Sequence, residues 1–345
     1  MLPRREATVE LPMTPASRST ALAAAMILAA SVTTCAAAAP YPDRPIRILA
    51  GEAGAQSDTM ARVLAPALSA TLGQSVVVEN RSGAGGTIAA LRTVQSRPDG
   101  YTLLLGGVNN VVLGPLVRRE LAYAPARDLV PLGGVGRAPY GVAVARHIHV
   151  ADLGELVAYA RARPGELAFG SSGIGSSSHA ALALLAARAG LSLLHVPYRG
   201  SPVALNDLVA GRIDIFACDL SLLLPFAKTG AVRIIAMAGT RRTPAAPSVP
   251  TVAEQGFPGY AVDPWYALYA PSGTPKPVID ALSRALAGAL RDPAVSQEIA
   301  SQGYEPLPLT ADEVRALAQA DTLRFESVLE DASVPDGPGE RPSTR

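Results

Sequence analysis

The sequence predicts an α/β protein of two lobes around a ligand cleft, on three observations. Short apolar runs alternate with segments of helical periodicity. The alternation occurs twice, which supplies material for two sheets. Two further strand-like stretches stand where the chain would leave one lobe and later return to it. At 345 residues the chain can bury two cores, and 49% apolar with 17% charged residues suits a folded chain rather than a disordered one.

Residues 1–39 read as a secretory signal. Arg18 precedes an apolar stretch from Ala21 to Val32, and small residues from Ala36 to Ala39 supply a cleavage region. That stretch is shorter than the roughly 20 residues a bilayer span needs. Cys35 would leave with the signal, so Cys218 remains alone in the mature chain and reads as a small buried hydrophobe. Neither an intramolecular disulfide nor a cysteine-based zinc site is then open to it.

Ile46 to Ala50, Val76 to Val78 and Thr102 to Leu105 are strand-like. Between the first two, Met60, Val63, Leu64, Ala67, Leu68 and Leu72 recur at helical spacing, with Asp58 as N-cap and Gly73 as left-handed C-cap. Asp99-Gly100 makes a turn before the third strand. The order implies parallel strands covered by helices. Crossings are expected at Gly141 to Ala145, after a loop from Gly133 to Pro139, and at Tyr266 to Ala270. Between them lie strands at Leu167 to Gly170, Leu193 to Val196, Ile213 to Ala217 and Val232 to Ala236, with helices over His179 to Arg188 and Val203 to Ala210. Helices over Val278 to Leu290 and Ala311 to Leu329 close the chain. The expected organisation is therefore lobe I over 40–140 plus 264–333, lobe II over 141–263, and a frayed tail over 334–345.

A net charge of +1 and scattered basic residues give no footprint for nucleic acid. No low-complexity tract or short repeat interrupts the body, and no His, Cys or carboxylate cluster points to a metal.

Three loops join a strand's carboxyl end to a helix's amino end, where ligands of open α/β sheets sit: Gly51 to Asp58, Asn80 to Thr87 and Gly170 to His179. Helix starts leave N–H groups unpaired and carry partial positive charge, which favours anions. The Ser/Gly loop Ser171-Ser172-Gly173-Ile174-Gly175-Ser176 adds neutral donors and lets backbone approach a ligand. Enzyme readings fare worse. The Gly83 to Thr87 stretch has Ile88 where a dinucleotide loop needs its third glycine, and no lysine serves a phosphate loop. No G-x-S-x-G elbow exists, so a hydrolase would have to pair Ser176 or Ser178 with His179 or His195. Neighbours on one helix turn do not face each other, which makes Ser178 and His179 a poor pair.

The chain resembles the Bug, or TctC-like, extracytoplasmic solute receptors of the tripartite tricarboxylate transporter family. The likeness runs from Tyr41-Pro42-Asp43-Arg44-Pro45 to near Leu329. It is carried by Val76-Val77-Val78-Glu79-Asn80-Arg81-Ser82-Gly83-Ala84-Gly85-Gly86, Arg97-Pro98-Asp99-Gly100-Tyr101-Thr102, the Ser/Gly loop, His195-Val196-Pro197-Tyr198-Arg199-Gly200, Pro250-Thr251-Val252-Ala253-Glu254 and Ala270-Pro271-Ser272-Gly273-Thr274-Pro275. The resemblance implies a type II periplasmic-binding-protein fold with a hinged cleft, no catalysis and no cofactor. It implies a monomer that is exported to the periplasm, binds a small organic acid or amino acid, and delivers it to membrane permease subunits. A periplasmic sensor receptor for a similar ligand is the alternative.

Carried over by position, the resemblance places the ligand at Gly54, Ala55, Gln56, Ser57 and Asp58 in lobe I, with Asp58 read as a helix cap rather than a contact. In lobe II it names Ser171, Ser172, Gly173, Ser176, His179, Tyr198 and Asp219. The first loop departs from the family pattern: Gly51-Glu52-Ala53-Gly54-Ala55 stands where an aromatic residue and prolines are common. Asp219 stands where asparagine is frequent. If Glu52 and Asp219 both face the ligand, they oppose a second carboxylate and favour an amino or hydroxy acid, while Gly51 leaves width for a bulkier one; the other reading turns Glu52 to solvent and makes Asp219 a helix cap.

Overall fold

The structure, a computed structural model, describes residues 41–118 and 121–331; the expected signal and tail lie outside them. Its strands form two mixed sheets, each covered by helices, one for each of two α/β lobes.

The first sheet starts with β1 (Ile46–Ala50), whose apolar residues are buried. Helix α1 (Gln56–Leu72) follows and buries Met60, Ala61, Leu64 and Leu68 along one stripe. It stops at Gly73, whose φ of 69° only glycine adopts at low cost and whose N–H reaches Ser69 O at 3.0 Å. Strand β2 (Val76–Asn80), helix α2 (Thr87–Val94) and strand β3 (Thr102–Gly107) complete a parallel trio, β1 lying between β2 and β3. A wide helical turn over Val108–Leu113 then carries Asn109 and Asn110.

Strand β4 (Leu129–Arg137) stays in the first sheet, whereas β5 (Tyr140–Ala145) belongs to the second. The second sheet adds α3 (Leu153–Arg161), β6 (Ala168–Ser171), α4 (Ser177–Ala189), β7 (Leu194–Pro197), α5 (Ser201–Val209), β8 (Ile215–Asp219), α6 (Leu220–Lys228) and β9 (Val232–Met237). Its order is β7-β6-β8-β5-β9, with β5 antiparallel to both neighbours. The chain then returns to the first sheet as β10 (Trp265–Pro271), antiparallel to β3 and β4. Helices α7 (Lys276–Arg291) and α8 (Pro293–Ser301), strand β11 (Glu305–Pro306) and helix α9 (Ala311–Asp331) finish that lobe. The two connections between sheets run side by side, Ala138 N–H donating to Pro264 O at 2.8 Å.

One expected loop is a strand. Gly133, Gly134 and Gly136 read as loop residues, but they lie inside β4. A Cβ at Gly134 would sit 2.5 Å from Leu307 O, so glycine marks the close passage of another backbone segment rather than a break in the sheet. Trp265 fixes α9 to β10: its indole Nε1–H donates to the buried Asp321 Oδ2 at 2.8 Å. Among the described residues no helix is long and apolar enough to cross a membrane.

Candidate ligand cleft and family membership

The loop after β1 is shaped by its own side chains. Gly51 N–H donates to Ser57 Oγ at 3.0 Å, and Gly54 N–H to Asp58 Oδ2 at 2.9 Å. Asp58 Oδ1 accepts from Arg62 Nε and Asn80 Nδ2, both at 2.9 Å. Burial pushes the Asp58 carboxyl up, but the bonds from Arg62, Gly54 and Asn80 outweigh it and hold the group below its ordinary range. Asp58 is thus a brace between β1, β2 and α1. The N-cap of α1 is Ala55, not Asp58, and no side chain caps it.

Asn110 organises the next layer. Its Oδ1 accepts from Gly107 N–H at 2.9 Å and its Nδ2 donates to Gly86 O at 3.2 Å, tying the turn after β3 to the glycine loop before α2. Asn109 reaches the other lobe: its Oδ1 accepts from Ser177 N–H at 2.7 Å and from Ser177 Oγ at 2.6 Å.

The Ser/Gly loop is satisfied largely within itself. Ser171 Oγ pairs with His195 Nε2 at 2.7 Å and accepts from Gly173 N–H at 3.2 Å. Ser176 Oγ donates to Gly173 O at 2.6 Å and accepts from His179 N–H at 3.3 Å as the cap of α4. Ser178 Oγ accepts from Ser172 N–H at 2.8 Å. His179 Nδ1 accepts from Gly175 N–H at 3.4 Å, and its ring stacks on His195 with centroids 4.2 Å apart. Burial pulls both imidazoles down to about 4, helped at His195 by its neighbour, so both are neutral at pH 7. Among the described residues no carboxylate is hydrogen-bonded to either ring, and the Ser171–His195 pair ties the loop to β7.

A cavity of about 70 Å3 lies between the lobes. Gly51, Glu52, Ala55, Gln56 and Ser57 line it from the first loop, and Gly83, Gly85 and Gly86 from the second. Leu105, Gly107, Asn109, Asn110 and Tyr266 form its floor, and Ser172, Arg199, Gly200 and Ser201 come from the second lobe. Of the residues expected from sequence, Ala55, Gln56, Ser57 and Ser172 meet the cavity. Gly54, Asp58, Ser171, Gly173, Ser176 and His179 stand behind the two loops and shape them. Tyr198 donates its hydroxyl to Asp207 at 2.8 Å, and burial, helped by that carboxylate, pushes the phenol up to about 12. Asp219 is fully buried as the cap of α6, with Oδ1 accepting from Ser221 N–H at 3.4 Å, so of the two carboxylates expected at the ligand only Glu52 lines the cavity. Asn109, Asn110, Arg199 and the Gly83–Gly86 loop join the wall without having been named as contacts. The glycine loop's place after β2 and the Arg199-Gly200 motif were the available signals.

The helix starts decide what the cavity can hold. Helices α1, α2 and α5 begin at it behind Ala55, Gly86 and Gly200, none of which supplies a side-chain cap. Elsewhere Asp152, Ser176, Asp219 and Asp292 cap α3, α4, α6 and α8. Uncapped first-turn N–H groups with partial positive charge converge from both lobes on one cavity, which suits an anion.

A family profile described as TctC, tripartite tricarboxylate transporter family receptor, matches residues 60–334. The chain belongs to this receptor family. Its members are solute-binding receptors, not enzymes. BugT of Bordetella pertussis (strain Tohama I) is 35% identical over 315 residues, which cover 91% of this chain and 97% of that protein. A solved R. palustris protein with adipate has a TM-score of 0.81 at 32% identity, covering 85% of this receptor and 98% of the other. MatC from Rhodopseudomonas palustris with bound malate has a TM-score of 0.78 at 31% identity, covering 84% and 100%.

Proposed function

We propose that this receptor captures a small organic carboxylate in the periplasm and passes it to the membrane permease subunits of a tripartite tricarboxylate-type transporter. The observation that carries the reading is the meeting of three uncapped helix starts, two from one lobe and one from the other, at a single cavity. The ligand carboxylate sits at the first turns of α1 and α2, where Gln56, Ser57 and Gly86 line the wall, and Ser172 reaches it from across the cleft. The remaining expected residues, Ser171, Gly173, Ser176, His179, Tyr198 and Asp219 among them, act by holding loop shape. Relatives solved with adipate and with malate support a ligand of that size.

The lobes divide near residues 140 and 264 and close about the paired connections, which bring Asn109 and Ser177 together. Residues 1–39 direct export, and the mature receptor acts as a monomer. A melting-temperature screen of organic acids on the purified receptor tests the reading. An acid at about 100 times its dissociation constant should add roughly 2.7 kcal/mol to stability. A broad acid panel that leaves the melting temperature unmoved would rule it out.

A further inference from the structure

Glu52 is the acidic member of the cavity wall, and Arg199 is the basic one. Burial pushes the Glu52 carboxyl up, and among the described residues no side-chain hydrogen bond or ion pair offsets it. Arg199 lines the same space, and among the described residues the two form no ion pair. Glu52 spans the cleft: it leaves the loop after β1 in one lobe, and its Oε2 lies against Gly200 of the other. A Cβ at Gly200 would fall 1.6 Å from that oxygen, so the side chain fits because position 200 is glycine. Gly200 is also the uncapped start of α5, where an anion would otherwise be drawn.

These placements divide the cavity. The starts of α1 and α2 remain open to a ligand carboxylate, while the start of α5 already faces the Glu52 carboxylate. A dicarboxylate would set its second negative charge beside Glu52, with Arg199 as its lone counter-charge in the wall. A ligand with an ammonium there meets an unpaired acceptor of opposite charge.

We propose that Glu52 sets the specificity of the cleft, so that the receptor prefers an acid carrying an ammonium group, an amino acid, over its unsubstituted dicarboxylate counterpart. The inference rests on the carboxylate-receptor reading above and names the ligand class within it. Hydroxy acids rank between the two, because a neutral hydroxyl donates a hydrogen bond to Glu52 without balancing its charge.

Calorimetry with succinate, malate and aspartate, which share one carbon chain, and with adipate and 2-aminoadipate tests the proposal on wild type, Glu52→Gln and Gly200→Ala. Gly200 has extended backbone angles that alanine also adopts, so its variant keeps the charge at Glu52 but displaces it. In wild type the amino acid of each series should bind at least tenfold more tightly than the plain diacid, about 1.4 kcal/mol. Both variants should lose most of that ratio, Glu52→Gln by gaining affinity for the diacids. Plain diacids binding wild type as tightly as the amino acids, or a ratio unchanged in Glu52→Gln, overturns the role of Glu52 and leaves the receptor reading standing. Absence of binding by every acid to both wild type and Glu52→Gln overturns the two together.

Discussion

Replacing Asp219 by asparagine should stabilise the receptor at neutral and alkaline pH and change little near pH 4. Asp219 ends β8 and caps α6 in full burial. Its Oδ2 has no bond of good geometry, although the Tyr304 hydroxyl is a neighbour. Burial lifts the carboxyl from 3.8 to about 7, against the smaller pull of Tyr304 and Ser221. A group that binds its proton more tightly when folded stabilises the fold below its unfolded value and gives that up as pH rises through the folded value. The loss therefore falls between pH 4 and pH 7. At 1.36 kcal/mol per tenfold change in acidity the ceiling is about 4 kcal/mol, and relaxation around the charge brings the expected gain in the variant to about 2–4 kcal/mol. His179 and His195 work in the opposite sense. Both are depressed to about 4, so the stability they confer is present above 6.5 and is lost as pH falls. Wild type alone thus mixes two slopes, and the difference between wild type and Asp219→Asn isolates one. Urea unfolding followed by circular dichroism from pH 4 to pH 8 measures it. Two stability curves that run parallel across that range would refute the reasoning.

Asn109→Ala removes the acceptor that holds the turn after β3 on the start of α4, and should weaken ligand binding roughly tenfold, the worth of a good helix cap. Small-angle scattering of the ligand-bound variant should show a larger radius of gyration, and unchanged affinity and radius would count against an interlobe clasp. Trp265→Phe strips the buried Asp321 carboxylate of its indole donor and should cost about 1–3 kcal/mol in urea unfolding. Stability equal to wild type would mean that α9 is anchored by its apolar contacts alone.

The supersecondary plan was legible because it rests on local signals. Helical spacing from Met60 to Leu68 and glycine at position 73 define α1 and its end, and the apolar runs at Ile46, Val76 and Thr102 are the parallel trio. Strand β4 was missed because its glycines answer to a segment more than a hundred residues away, near Leu307. Local propensity carries no record of such contacts. The site divides the same way. Position after a strand's carboxyl end picks out loops that supply cavity-lining residues. Which hydroxyl meets the ligand depends on bonds made across the loop. Ser171 and Ser172 are adjacent in sequence, yet Ser171 pairs with His195 behind the loop while Ser172 lines the cavity, its own hydroxyl 3.0 Å from Ser178 Oγ. Asn109 could not be found from its own segment, since its partner Ser177 lies in the other lobe.

Helix capping links these levels. Relative to a serine or aspartate cap, a helix start gives up about 1 kcal/mol with alanine and only a few tenths with glycine. Ala55, Gly86 and Gly200 each accept that loss, while helices with no first turn at the cavity take Asp152, Ser176, Asp219 or Asp292. Cap identity alone over-predicts, because α7 also starts uncapped, behind Pro275, and does not line the cavity. Topology supplies the missing condition, since α1, α2 and α5 begin at loops that the sheets bring together. Small residues at those caps keep the first turns of α1, α2 and α5 open to the cavity. At α5 an acceptor from the opposite lobe, Glu52, already stands against the start. The stability gained on binding should therefore come mainly from α2, since α5 faces Glu52 and α1 already carries Asp58 in its first turn.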